Sequence, residues 1–215
     1  LTITWVTSFL QLSERRKAML LGAFTVASVL ETALVSLQAW RGVPSHFNVE
    51  TAFDASVART LGAGGGVLVA LIILLTVAAF RANPSVPISL LIAIRAGFAT
   101  LLGAMAVGAL MIANGMLLVF RGDPQAAYAT GGVLKPTHAV ALHAILVLPA
   151  FAWLLSSTNW SEERKLRLVA IGAAGYIALA VVTGVANFTG LGLASPLIAT
   201  IALLAALSIL VTGWL

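Results

Sequence analysis

The sequence predicts an all-α, polytopic transmembrane helix bundle of about six spans, and three observations carry that expectation. Residues of the hydrophobic set make up 60% of the 215 positions and charged residues only 9%, against roughly a quarter charged in a soluble domain. The apolar residues gather into runs of about twenty, the length that crosses a 30 Å hydrocarbon core at 1.5 Å per residue. Proline and basic residues stand between the runs, where turns and interfaces belong. A mean hydropathy of +1.06 agrees. Polar interruptions stay under about twenty residues, so the whole of 1–215 reads as one transmembrane domain.

The elements follow in order. A first full span is expected over 17–40, ended by Gly42 and Pro44. The second covers 57–80 and the third 96–120, with Pro84 and Pro87 breaking the chain between them. Pro124 and Pro136 break the next connection, ahead of a fourth span over 137–157. Pro149 lies inside that span and predicts a kink, since it removes one backbone donor. A fifth span covers 166–188, where Asn159 and Glu162 suggest a capping box at the start. Ser195 before Pro196 suits the start of a sixth, over 196–214. Residues 1–12 are apolar, and Arg15, Arg16 and Lys17 follow them rather than precede them. That order is the reverse of a signal peptide, so 1–12 reads as the tail of a preceding span.

Basic residues predict the topology. Arg15, Arg16, Lys17, Arg81, Arg95, Arg164, Lys165 and Arg167 fall on one side, taking Arg95 to snorkel from the base of the third span. Arg41, Arg59, Arg121 and Lys135 fall on the other. The richer side is expected in the cytoplasm of a bacterial inner membrane, with connections 41–56 and 121–136 facing outward. Trp40 then sits at the outer interface, and Trp160 and Trp214 at the inner one. Membrane lipids are the expected surroundings. The net charge of +5 is spread over span ends, which argues against a nucleic-acid surface. The absence of cysteine excludes disulfides, thiolate metal sites and iron–sulfur clusters.

With so few ionisable groups, each can be weighed. Glu14, Glu162 and Glu163 neighbour basic residues at the inner face, and Asp54 and Asp123 suit helix caps or turns. Glu31 differs. It stands nine residues before Trp40, about 13 Å along the helix axis. An ionised carboxylate at that depth costs about 2.5–3.5 kcal/mol, so it is expected to face the bundle, neutral or paired. His143 lies six residues beyond Thr137, and Asn114 six residues before Phe120. Gln38 lies two turns above Glu31 on the first span, and Asn187 lies near the outer end of the fifth. Four spans thus place polar side chains in the outer half. The candidate ligand-binding set is Glu31, Arg41, His46, His138, His143 and Asn114. His138 and His143 stand about 140° apart around a helix and do not form one clamp. A metal or haem iron would therefore be held by His143 with His46, or with Glu31.

Two blocks carry a resemblance. The first runs QAWRGVPSHFN from Gln38 to Asn48, followed by Thr51 to Asp54. The second runs from Gly131 and Gly132 through Lys135, Pro136 and His138 to His143. Together they resemble an uncharacterised bacterial family of polytopic membrane proteins, with an RGVPSHFN-type loop and a PxHxxxxH-type helix start. The resemblance implies a further span before Leu1 and implies that His46, His138 and His143 belong together. It implies no activity.

Three functions fit these residues. The least specific leads: a non-catalytic subunit or scaffold of a membrane complex, with polar groups gluing helices together. A second has the outer histidines bind a b-type haem, another tetrapyrrole or a metal, oriented by Glu31. The third is a small proton-coupled transporter using Glu31 and His143. No nucleophile and base are spaced for catalysis, so no catalytic residue is assigned.

Overall fold

The computed structural model describes residues 1–190 and Thr200, and among these residues the chain forms seven helices and no strand. They are α1 (Thr2–Thr7), α2 (Glu14–Trp40), α3 (Ala52–Ala79), α4 (Ile88–Phe120), α5 (Pro124–Thr130), α6 (Lys135–Ser156) and α7 (Glu162–Thr189). Five of them, α2, α3, α4, α6 and α7, are long and apolar enough to cross a membrane. Apart from Thr200, the expected sixth span, 196–214, with its Ser195-Pro196 start and Trp214, lies outside the described residues.

Large apolar side chains cover the outside of these helices. Val26 and Val29 on α2, Leu110 on α4, Trp153 on α6 and Val181 on α7 are all more than half exposed. A helix that is apolar all round is stable only where its solvent is apolar too. This is the build of a multi-pass membrane protein.

Helix starts account for most differences from the expected boundaries. α2 begins at Glu14 because the Ser13 hydroxyl accepts from the Arg16 amide, and Lys17 pairs with Glu14 at 2.9 Å. α3 begins five residues early, where the Thr51 hydroxyl accepts from the Asp54 amide. Thr51 therefore caps this helix, and the Asp54 side chain is spent elsewhere. α4 starts directly after Pro87 and runs 33 residues, about 50 Å. Arg95, which hid this early start, lies on the helix. Its guanidinium donates to the carbonyls of Ala79, Phe80 and Arg81 at the end of α3, replacing the amide partners those groups lack. α7 is capped by Ser161, not by Asn159; Glu162 instead accepts from the Ser89 amide at the head of α4. The short α5 was unforeseen. Asp123 caps it, accepting from the Ala126 amide, with Pro124 in its first turn.

The chain divides into two compact units. Among the described residues, unit 1 comprises Leu1–Gln11, Leu75–Val107 and the chain from Leu134 onward. Its α6 and α7 pack along each other, joined by Thr137 Oγ1 donating to Asn187 Oδ1 at 2.6 Å and Tyr176 donating to the Val140 carbonyl at 2.8 Å. Gly97 of α4 meets α6 so closely that a Cβ there would stand 3.0 Å from the Ile145 Cα, the close approach that small residues permit between membrane helices. Ala144, Leu148 and Phe98 are buried in the same unit. α6 runs unbroken through the buried Pro149. The amino-terminal stretch is held as well: Asn83 donates to the Phe9 carbonyl, and Trp5 meets Trp153 edge to face.

Unit 2 comprises Leu12–Leu74 and Gly108–Val133. It contains α2, most of α3, the last turns of α4, and α5, and it contains the connection 41–51.

Candidate functional site

The connection 41–51 holds the densest polar chemistry of unit 2. It leaves α2 at Arg41 and turns at Gly42, whose φ of 70° is a conformation side-chain-bearing residues rarely adopt. Then it descends. His46 Nε2 lies 2.9 Å from Glu31 Oε1, although Glu31 stands about 13 Å below the end of α2. A connection that folds back along an apolar helix needs protein to cover its polar backbone, and the cover is visible. The next residue, Phe47, presses its ring on Gly115 of α4 and on Gly131 beyond α5. A Cβ at either glycine would come within 2.6 and 2.7 Å of that ring. Phe47 also meets the Tyr128 ring at 6.2 Å between centroids. Histidine and phenylalanine together act as a plug driven into the unit.

Two further networks fasten the ends of the plug. In the first, Asp54 is the hub. Arg41 donates to it, Gln38 Nε2 donates to its Oδ1 at 3.0 Å, and Thr51 Oγ1 donates to its Oδ2 at 2.6 Å. Gln38 Oε1 in turn accepts from Arg41, whose guanidinium also lies 4.9 Å above the Phe53 ring. The carboxylate side chain is 3% exposed and its guanidinium partner 37%. In the second network, Tyr128 donates to Glu50 Oε1 at 2.9 Å and to Asn48 Oδ1 at 3.4 Å. Burial first, and then the bond to Glu50, push the Tyr128 phenol up to about 12.

The Glu31 pair, like Asn48 with its buried and unpartnered Nδ2, leaves a polar atom over. His46 Nδ1 faces the Ser45 hydroxyl at 2.8 Å, so both ring nitrogens are engaged. Glu31 Oε2, by contrast, is buried with no hydrogen-bond partner. It lies against α3 at Gly64, where a Cβ would stand 3.6 Å away.

The expected site residues fare differently. Glu31, Arg41 and His46 all belong to these networks in unit 2. Asn114 lies in the same unit but on an exposed part of α4, and takes no part in these bonds. His138 and His143 belong to unit 1. His138 Nδ1 bonds the Ala104 carbonyl of α4 at 2.8 Å, tying α6 to α4. His143 is exposed on α6 and its Nδ1 bonds the Ala139 carbonyl of its own helix. Among the described residues no group of three or more His, Asp or Glu side chains stands together as metal ligands would. The metal and haem expectation through His46 and His143 draws no support from this geometry. His46 would have to give up Ser45 or Glu31 to ligate.

Sequence reasoning treated Asp54 as a helix cap and passed over Phe47, Gly115 and Tyr128. One signal was available for Phe47: it stands in the first family-like block and its ring rests on Gly131 of the second. Comparison with protein-family models, with curated proteins and with solved structures finds no match.

Proposed function

We propose that this chain is a non-catalytic subunit or scaffold of a bacterial inner-membrane complex, its eight-charge side in the cytoplasm and the connection 41–51 outside. Kinship with the family its two polar blocks resemble belongs to the same proposal. The observation that supports it most is the closure of the Asp54 network. Arg41, Gln38, Thr51 and Asp54 spend their donors and acceptors on one another, and the product is a fastened loop. Polar groups spent this way hold helices in place and leave an apolar outer surface for lipid and for partner subunits.

The test is native mass spectrometry of the chain extracted from its own membranes. A stoichiometric assembly with other membrane chains is expected, and Asp54→Ala is expected to dissociate it without loss of any small ligand. Purification as a coloured protein with a Soret band would overturn the reading in favour of haem. Uptake activity from the purified chain alone, lost in Glu31→Gln, would overturn it in favour of transport. That alternative, framed on Glu31 and His143, has one observation behind it: Glu31 does engage an imidazole, though it is that of His46.

A further inference from the structure

The Glu31 pair is a polar cluster that the Asp54 and Tyr128 networks do not draw on. Glu31 Oε1, His46 and Ser45 Oγ form an unbroken chain of hydrogen bonds of 2.9 and 2.8 Å. One end is a half-buried hydroxyl in the connection. The other is a carboxylate inside an apolar span, with its second oxygen buried and unpartnered. Imidazole between two such groups can take a proton at one nitrogen and release one from the other.

We propose that Ser45, His46 and Glu31 form a reversible proton-binding site, loaded from the connection and storing the proton on the carboxylate within α2. In the unloaded state the Ser45 hydroxyl donates to His46 Nδ1, and His46 Nε2–H donates to the Glu31 carboxylate. A proton from water adds to Nδ1 as the Ser45 hydroxyl rotates to accept from it. The Nε2 proton then crosses to Glu31 Oε1. The result is a neutral carboxylic acid, a neutral imidazole of the other tautomer, and one proton taken from water. The cluster passes from one negative charge to none. Carboxylate and imidazole so close in an apolar setting share that proton as a coupled pair.

The ligand is a proton rather than a metal ion because the donor set is too small. One carboxylate and one imidazole already bonded to Ser45 supply fewer ligands than zinc or calcium requires, and the described residues bring no third. From α3 the group facing the pair is Gly64, which carries no charge. Arg41, the nearest cation along the connection, is taken by Asp54 and Gln38.

Infrared difference spectroscopy of the full chain in phosphatidylcholine vesicles, recorded after a pH jump, reads this directly. The expected result is a neutral-carboxyl carbonyl band that grows as pH falls and is missing in Glu31→Gln, a variant of the same size that still accepts from His46. His46→Gln is expected to move the band's midpoint by about one pH unit or more, a tenfold change in proton affinity. Ser45→Ala is expected to keep the midpoint and slow the loading severalfold. The proposal is overturned by a band that does not titrate between about pH 4 and pH 9, by a midpoint indifferent to His46→Gln, or by unchanged loading in Ser45→Ala. Should Glu31→Gln fail to fold, the His46→Gln midpoint alone decides between the two outcomes. None of these outcomes bears on assembly with other chains, so the scaffold reading stands or falls separately.

Discussion

Replacing Asp54 by alanine removes the acceptor on which three donors converge. Breaking a buried ion pair from one side costs about 3–5 kcal/mol when the partner charge is trapped. Here the partner is not trapped: the Arg41 side chain is 37% exposed, so it can turn to water and its share shrinks to about 0–1 kcal/mol. Gln38 has no such escape, because it is fully buried. Its stranded amide costs about 1–3 kcal/mol, and the lost Thr51 bond adds to that. The expected loss for Asp54→Ala is about 3 kcal/mol, a factor of about a hundred in the unfolding constant. Arg41→Ala is expected to cost less, about 1 kcal/mol, since Gln38 and Thr51 still hold the carboxylate. Equilibrium unfolding in mixed micelles of rising dodecyl sulfate content, followed by tryptophan fluorescence, measures both. The reasoning is refuted if Asp54→Ala costs under about 1 kcal/mol, or if Arg41→Ala proves the more damaging change.

Gly115→Ala drives a Cβ to within 2.6 Å of the Phe47 ring. A loss of about 1–3 kcal/mol is expected in the same unfolding assay, partly recovered by adding Phe47→Leu. Gly97→Ala meets backbone at 3.0 Å and is expected to destabilise by a similar amount, with no smaller partner residue to rescue it. Tyr128 titrates late: in a Tyr176→Phe background its absorbance change is expected to centre near 12 rather than 10.0. Because the folded value is raised, the associated stability is complete below pH 10 and is lost as pH rises toward about 12. A midpoint at the ordinary phenol value would contradict the partial burial of Tyr128 and its bond to Glu50. The chain has no cysteine of its own, so single introduced cysteines report topology cleanly. In intact cells Val49→Cys is expected to react with an impermeant maleimide and Ser157→Cys to stay unlabelled; the reverse pattern inverts the membrane orientation.

Much was legible from residue order alone. Lipid as solvent demands long apolar helices with internally satisfied backbones, and runs of that length can be counted without knowing what they touch. The same logic marked Glu31 as a group that must find a partner. Proline positions located the breaks, since a missing amide is a local property. Boundaries were less accessible wherever a distant group decided them. α4 starts eight residues earlier than its hydropathy suggests because the carbonyls at the end of α3 absorb the charge of Arg95.

The pairing of particular side chains needed the tertiary structure. Glu31 and His46 are fifteen positions apart and Phe47 and Gly115 nearly seventy, and no periodicity links a residue of an irregular connection to a helix it folds back upon. Hydropathy and spacing are sums along the chain, whereas a hydrogen bond at 2.9 Å depends on where two segments cross. So the sequence by itself established a helical protein with several apolar helices of membrane-crossing length, and it marked Glu31 as a group in need of a partner, whereas His143, expected to turn inward with it, lies exposed on α6. Only the folded chain decided that the carboxylate of α2 would meet the imidazole of its own outgoing loop, because the turn at Gly42 and the bed of glycines under Phe47 let that loop descend.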